Sequence, residues 1–241
     1  MNETTLPPSS SSSPWWTYLL LTLLLIALCY SLLWRWLLRP FLKGELPLPV
    51  ARRLSRLIHY PKLPFVLAAF SLGLKKSPYW SQVAPGLVMG ALPCTRWHVE
   101  ALSKRWKVQA VVNLCDEDSG PLSYYQLYGM EQLHLPTVDH NEPSLQDLET
   151  AVAFIHRQHQ LGRTVLVHCM AGRGRSAAVV LCWMLASQRM NPVEAQQVLS
   201  KKRAMVRPRL CQQKNVLAFY QRLCQSEAHR LQQQLQQEQL A

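Results

Sequence analysis

The sequence predicts an α/β domain with a mixed, largely parallel central sheet flanked by helices, preceded by one N-terminal transmembrane helix. Three observations support this fold class. Strand-like and helix-like patterns alternate over residues 83–224, a long uncharged apolar segment lies near the N-terminus, and an apolar strand leads directly into a cysteine and a glycine-bearing loop. Alternating strands and helices favour a parallel sheet covered on both faces, and a segment of this length can bury a core.

Composition shifts divide the chain into five predicted segments. Residues 1–14 form a flexible polar tail, residues 15–36 a transmembrane helix, and residues 37–82 a basic juxtamembrane linker with an interfacial segment. Residues 83–224 form the α/β domain, and residues 225–241 a Gln-rich helical tail.

The apolar segment at residues 15–36 carries no charge before Arg35. A helix of that length, at ~1.5 Å per residue, covers a ~30 Å hydrocarbon core, and aromatic residues cluster at both of its ends as in a membrane-interface belt. A cleaved signal peptide is the alternative, but the preceding tail lacks Lys and Arg. The pattern therefore predicts a single-pass membrane anchor.

Positive charge is concentrated just after the anchor. The cations there, opposed by Glu45 alone, are Arg35, Arg39, Lys43, Arg52, Arg53, Arg56, Lys62, Lys75 and Lys76. By the positive-inside rule, the C-terminal domain is expected on the cytoplasmic side, or on the matrix side of an organelle. Much of the net charge of +12 lies here, so membrane lipid rather than nucleic acid is the predicted partner. The apolar run at residues 63–74 either lies in the membrane interface or packs against the domain.

Strand and helix signals follow one another through the α/β domain. Strands are expected at residues 83–93 (with a turn), 108–114, 130–135 and 165–167. Helices are expected at residues 95–106, 124–128, 144–162, 176–188 and 191–200, with a last one beginning at the turn of Arg207, Pro208 and Arg209. Ser144 is the predicted N-cap of the third of these helices, with Asp147 in the capping-box position.

The segment with the clearest chemistry follows the strand at residues 165–167. It consists of His168, Cys169, the loop residues Met170, Ala171, Gly172, Arg173 and Gly174, then Arg175 and Ser176. A thiol with its reference pKa of ~8.5 is mostly protonated at neutral pH, and a helix N-terminus favours the thiolate. The same free N–H groups bind a phosphate dianion, so the segment predicts a nucleophile and a phosphate held at one point.

The residues around the cysteine suggest matching roles. The planar fork of Arg175 suits two phosphoryl oxygens, and Ser176 is placed to donate a hydrogen bond to the Cys169 sulfur. His168 is expected to orient the loop and tune the thiolate rather than to act as a general base. This combination is typical of covalent phosphatase chemistry.

His168, Cys169, Arg175 and Ser176 match the H-C-x5-R-[S/T] signature, and the chain thereby resembles the cysteine-dependent dual-specificity (protein tyrosine) phosphatase superfamily. The resemblance implies the dual-specificity phosphatase fold over residues 83–224 and a general acid upstream of the loop. Asp139 is the expected acid, with Glu142 as the substitute. Asp116, Glu117 and Asp118, which follow another strand, are interpreted as a solvated acidic turn.

The loop Met170 to Gly174 and the upstream Pro136-Thr137-Val138-Asp139 are also similar to the mitochondrial and bacterial type of phosphatidylglycerophosphate phosphatase. That likeness implies a membrane-anchored hydrolase that dephosphorylates a phospholipid headgroup, with Arg173 holding the phosphodiester. The alternative is a phosphatase acting on phosphoproteins near the membrane. No cofactor or metal is expected, because the seven cysteines lack zinc-site spacing and this chemistry requires no metal.

Overall fold

The computed structural model describes residues 15–240, so the predicted polar tail at residues 1–14 lies outside the described residues. The described chain separates into two compact units, and the boundary in the sequence lies between Leu46 and Pro47.

The first unit is helical. It contains α1 (Trp15–Leu33), a π-helical turn (Trp34–Leu38) and α2 (Arg39–Lys43), and the helix ends at Gly44 in the left-handed conformation with φ 73°. By length and composition, the continuous helical run Trp15–Lys43, which contains an 18-residue stretch with a mean hydropathy of 2.1, is suited to crossing a membrane. The predicted apolar helix is therefore present, and it extends beyond the expected end at residue 36.

The second unit is built on a five-stranded sheet in the order β1-β2-β5-β3-β4. Its strands are β1 (Trp80–Ala84), β2 (Leu87–Ala91), β3 (Val108–Cys115), β4 (Glu131–Thr137) and β5 (Thr164–Cys169). The pair β1 and β2 is antiparallel and the other three pairs are parallel, which confirms a mixed, largely parallel sheet. The strand and turn expected at residues 83–93 are two strands instead of one, because Gly86, with φ 70°, turns the chain into the hairpin of β1 and β2.

Helices cover both faces of this sheet. The helices of this unit are α3 (Leu48–Ser71), α4 (Arg96–Lys104), α5 (Leu122–Leu127), α6 (Leu145–Gln160), α7 (Arg175–Gln188), α8 (Pro192–Lys202) and α9 (Lys214–Leu240). Ser144 caps α6 as predicted, because its hydroxyl accepts a hydrogen bond from the Asp147 N–H. The last helix begins later than expected, because Arg209 takes a left-handed conformation and a 3₁₀ turn, Leu210–Gln212, follows it.

Alternating side chains of each central strand point to opposite faces of the sheet. On β3, Ala110 and Val112 pack into a large core with α6 and α7, whereas Val111 packs into a smaller core with α4 and α5. Helix α7 is buried along most of its length. This packing fixes the carboxyl ends of the parallel strands β3, β4 and β5 along one edge, where α/β proteins assemble their sites.

Helix α3 replaces the expected linker. It buries one stripe, Ala51, Ser55, His59 and Val66, at intervals that place these residues on a single helix face. Within the apolar run at residues 63–74, Leu63 packs against the large core and Val66 is buried, whereas Phe65, Leu72 and Leu74 are exposed.

Candidate active site

The loop between β5 and α7 is the centre of the site. Cys169 is the last residue of β5, Arg175 is the first of α7, and Gly174 is the N-cap. Gly172 adopts φ +66°, and a Cβ there would lie 2.5 Å from the backbone carbon of Gly90 on β2. Only glycine fits this close approach, so Gly172 is required for the loop to turn against β2.

The environment of Cys169 favours the thiolate. Burial alone would raise the pKa of this thiol, but the Arg175 guanidinium, the Ser176 hydroxyl and the backbone N–H groups of Ser176 and Arg173 together lower it below its ordinary value. The Ser176 Oγ lies 3.3 Å from the sulfur. The predicted contact between Ser176 and Cys169 is therefore present.

Arg175 is almost fully buried, and its guanidinium is hydrogen-bonded to several partners. Its Nη1 and Nη2 donate to the two carboxylate oxygens of Glu117 at 2.8 and 2.7 Å. Nη1 also donates to the carbonyl of Thr137 at 2.7 Å, and Nη2 to Asp139 Oδ1 at 3.0 Å. The fork is thus held from the ends of β3 and β4, and it lines the same pocket as Cys169 and the loop that follows it.

The interpretation of residues 116–118 as a solvated turn is wrong. The Glu117 side chain is 1% exposed because it forms the bidentate pair with Arg175, and the Asp116 side chain is 3% exposed. Asp116 forms ion pairs with Arg52 and Arg56 on α3. The signal for this role was the position of the turn at the end of a strand beside the predicted site.

The structure brings Asp139, but not Glu142, to Arg175. Asp139 Oδ2 lies 2.8 Å from Lys62 Nζ on α3, and Glu142 instead accepts a hydrogen bond from the backbone N–H of Asn215 at the start of α9. Burial raises the pKa of the Asp139 carboxyl, but the charges of Arg175, Lys62 and His140 outweigh burial and hold that pKa well below its usual range. Asp139 is therefore an ionised carboxylate in this arrangement.

Arg203, which no sequence motif indicates, supports the loop of residues 170–174 through hydrogen bonds to its backbone carbonyls. Its guanidinium is fully buried and donates to the carbonyl oxygens of Gly172 at 2.9 Å and of Ala171 at 3.1 Å. Burial lowers its pKa to about 10, so it stays charged at neutral pH. Because these carbonyls are held by Arg203, the loop N–H groups are free to face the other way.

His168 is also fully buried, beside the nucleophile. Burial lowers its pKa to about 3, so the ring is neutral at physiological pH. It therefore adds no positive charge next to the thiol, and the tuning of the thiolate by charge comes from Arg175.

A pocket of ≈ 220 Å³ opens over the loop. Its lining consists of Lys62, Val66, Lys75, Asp139, His140, Asn141, Cys169, Met170, Ala171, Arg173, Gly174, Arg175 and Arg207. Arg173 is exposed at the rim, and Arg207 is half-buried and held near His140. Asp139 is the one carboxylate of this lining, so the pocket is strongly cationic.

Taken together, the site can hold an anionic tetrahedral group against a thiolate. The nucleophile, a helix N-terminus and a buried guanidinium converge on one loop, and a carboxylate stands opposite. Among residues 15–240 there is no cluster of three His, Cys, Asp or Glu side chains suited to a metal ion.

Comparisons with known proteins agree with this geometry. Residues 92–222 match the family model described as dual specificity phosphatase, catalytic domain. The chain is 40% identical to phosphatidylglycerophosphate phosphatase PTPMT2 of Arabidopsis thaliana over 144 residues, which are 58% of this chain and 62% of that protein, less than two thirds of its length. It is 30% identical to human phosphatidylglycerophosphatase and protein-tyrosine phosphatase 1 over 64% of this chain and 79% of the relative. A crystal structure of PTPMT1 in complex with PI(5)P superposes with a TM-score of 0.56 and 25% identity, over 62% of this chain and 99% of that one.

The surroundings of Cys169 lead to a prediction about its reactivity. The pH midpoint for alkylation of Cys169 by iodoacetamide, followed by peptide mass spectrometry, is expected below the ordinary thiol value of ~8.5. Ser176→Ala removes a donor that favours the thiolate, so its midpoint is expected at higher pH than in the wild type. Ser187→Ala removes a hydroxyl further along the same helix and serves as the control. A wild-type midpoint at or above the ordinary value would contradict the assigned environment.

Proposed function

Because the chain belongs to the dual specificity phosphatase catalytic-domain family, we propose that it hydrolyses phosphomonoesters through a phosphocysteine intermediate. The observation that carries the proposal is the convergence of the Cys169 sulfur, the N-terminus of α7 and the Arg175 fork on the loop of residues 170–174. Such a site binds a phosphoryl group and its nucleophile at one point.

In the proposed first step, the Cys169 thiolate attacks phosphorus while the bond to the leaving oxygen breaks. Asp139 gives that oxygen a proton, and Arg175 with the loop N–H groups stabilises the charge on the phosphoryl oxygens. In the second step, water attacks the phosphocysteine and Asp139 accepts its proton. Cys169 leaves as a thiolate that accepts a hydrogen bond from Ser176, and inorganic phosphate is released.

The low pKa of Asp139 sets a condition on the first step. Asp139 must be protonated to act as the acid, whereas the two cations beside it keep it ionised. Arg175 Nη2 donates to the Asp139 carboxylate, and a substrate dianion carries more negative charge than this carboxylate, so it is the stronger acceptor for the guanidinium. In the proposal, Arg175 exchanges Asp139 for the phosphoryl oxygens, and the nearby negative charge then raises the pKa of Asp139.

The proposed substrate is a phospholipid headgroup with a terminal phosphomonoester, such as phosphatidylglycerophosphate. Two features support it. Relatives are named for that activity, and the pocket carries more cations than one phosphoryl group requires, namely Lys62, Lys75, Arg173 and Arg207 in addition to Arg175. In this proposal Arg173, exposed at the rim, adds positive charge where the lipid headgroup enters the pocket.

The experiment that tests the function compares kcat/KM of the detergent-solubilised chain on phosphatidylglycerophosphate, phosphoinositides and tyrosine-phosphorylated peptides. The lipid phosphomonoesters are expected to give higher values than the peptides, and Cys169→Ser is expected to abolish turnover of all of them. A preference for peptides over every lipid would replace the lipid proposal with a phosphoprotein one. Undiminished hydrolysis by Cys169→Ser would remove the covalent mechanism.

The acid role of Asp139 has a separate test. Asp139→Asn is expected to reduce kcat about 10²-fold or more for alkyl phosphates, whose leaving alkoxide needs a proton. It should reduce kcat much less for p-nitrophenyl phosphate, whose leaving group is stable as an anion. Glu142→Gln, which removes a carboxylate from the same loop, is the matched control. Equal losses on both substrates would exclude Asp139 as the acid.

We further propose that the chain is a single-pass membrane protein with its catalytic domain on the cytoplasmic or matrix side. Support comes from the apolar helix Trp15–Lys43 and from the basic residues that follow it. The outward face of α3 adds to this support, because Leu57, Tyr60 and Phe65 are exposed there. Exposed apolar side chains among cations fit the interfacial region of an anionic bilayer.

Charge reversal tests this topology. Proteoliposome or microsome insertion followed by protease digestion reports on which side the C-terminal domain lies. Replacing Arg35, Arg39 and Lys43 by Glu is expected to lower the fraction with the predicted orientation, because the positive-inside bias is removed. Lys201→Glu with Lys202→Glu, remote from the anchor in sequence, is the control for net charge. An unchanged orientation in the triple variant would count against the proposed topology.

A further inference from the structure

Helix α3 ends well before residue 92, where the family match begins, yet it reaches the pocket. We propose that Lys62 on α3 is a specificity-determining residue, which binds a second anionic group of the substrate, the phosphodiester that follows the hydrolysed monoester. This inference rests on the proposed phosphatase function and names the substrate feature that the pocket selects.

The first support is the way in which α3 is attached to the catalytic unit. Arg52 and Arg56 pair with the buried Asp116, and His59 Nε2 lies 3.3 Å from Asp118 Oδ2. All three contacts reach the acidic turn that also supplies Glu117 to Arg175. Since the stripe of α3 around His59 is buried, the helix is packed against the catalytic unit, and this packing positions Lys62 in the lining of the pocket.

The second support is the side of the pocket on which Lys62 lies. Its Nζ is 2.8 Å from Asp139 Oδ2, and Asp139 is the group proposed to protonate the leaving oxygen. Lys62 therefore faces the alcohol part of the substrate rather than the transferred phosphoryl group. In phosphatidylglycerophosphate that alcohol is a three-carbon glycerol that carries the phosphodiester, so the second phosphate lies on this side.

The third support is that the partner of Lys62 changes its charge during the proposed reaction, unlike the partners of the pocket arginines. Arg173 Nε donates to the carbonyl of Met205, and the Arg207 guanidinium lies against His140. Arg175 is held by Glu117. Lys62 is part-exposed and pairs with the Asp139 carboxylate, which must give up its charge for the proposed reaction to proceed. An ammonium on a flexible stem can move from Asp139 to an anion of the substrate.

This exchange couples substrate choice to catalysis. When Lys62 binds the phosphodiester and Arg175 binds the phosphoryl group, both cations that stabilise the ionised Asp139 have gained other partners. The carboxyl then takes up a proton more readily, which is the form required of the acid. A substrate without the second anion leaves Lys62 paired with Asp139.

The test compares two water-soluble substrates, so that membrane binding and acyl chains play no part. Glycerophosphoglycerophosphate, the deacylated headgroup, carries both phosphates, whereas glycerol 3-phosphate has only the monoester on the same kind of alcohol. For Lys62→Met the ratio of the KM of glycerophosphoglycerophosphate to that of glycerol 3-phosphate is expected to rise about tenfold over the wild type. Lys62→Arg, which keeps the charge, is expected to bring this KM ratio back close to its wild-type value.

Lys104→Met is the matched control, because Lys104 also pairs with a carboxylate, Glu100, but on the surface of α4. Its ratio should equal that of the wild type. Affinities measured in the Cys169→Ser background give the same comparison independently of turnover, and Lys62→Gln replaces Lys62→Met if the latter is not recovered folded.

If the KM ratio in Lys62→Met equals that of the wild type, including the case in which both KM values rise equally, the inference is overturned and the phosphatase proposal stays intact. Failure of Lys62→Arg to restore the ratio would also overturn it, because a charge-based contact requires rescue by the conservative variant. A wild-type chain that hydrolyses neither soluble substrate nor any lipid or peptide phosphomonoester would overturn both proposals together.

Discussion

The buried guanidinium of Arg175 is the interaction on which the rest of the site depends. A buried cation is tolerated only when it is paired and fully hydrogen-bonded, and Arg175 meets this demand with Glu117, Asp139 and two strand-end carbonyls, Leu114 and Thr137. These partners belong to the ends of β3 and β4, while Arg175 begins α7. One side chain therefore holds together the loop that follows Cys169, the loop that carries Asp139 and the acidic turn at residues 116–118.

The same demand for charge pairing explains why α3 belongs to the catalytic unit. Residues 116–118 place three carboxylates at one strand end, and Glu117 alone is satisfied by Arg175. Asp116 and Asp118 find their partners on α3, which also brings Lys62 to Asp139. A helix that precedes the family domain thus becomes part of the pocket wall, and the pocket gains a cation that the loop sequence does not contain.

Much of the fold was predictable because its signals are local. Strand periodicity, the cap at Ser144 and the glycine-bearing loop after Cys169 depend on neighbouring residues, and the structure shows each of them. The errors arose where tertiary context decides. The strand expected at residues 83–93 is a hairpin, the last helix begins at Lys214, and the linker at residues 37–82 contains the packed helix α3. Turn conformation and packing, rather than pattern, set these boundaries.

By itself the sequence determined the α/β fold, the apolar N-terminal helix and the arrangement of Cys169, Arg175 and Ser176, because these residues lie within one strand, loop and helix start. Only the tertiary structure decided which distant groups complete the site. Glu117 is 58 positions from Arg175, Arg203 is 31 from Gly172, and Lys62 is 77 from Asp139. Such partners carry no local pattern, since charge and burial pair them only after the sheet has brought its strand ends to one edge.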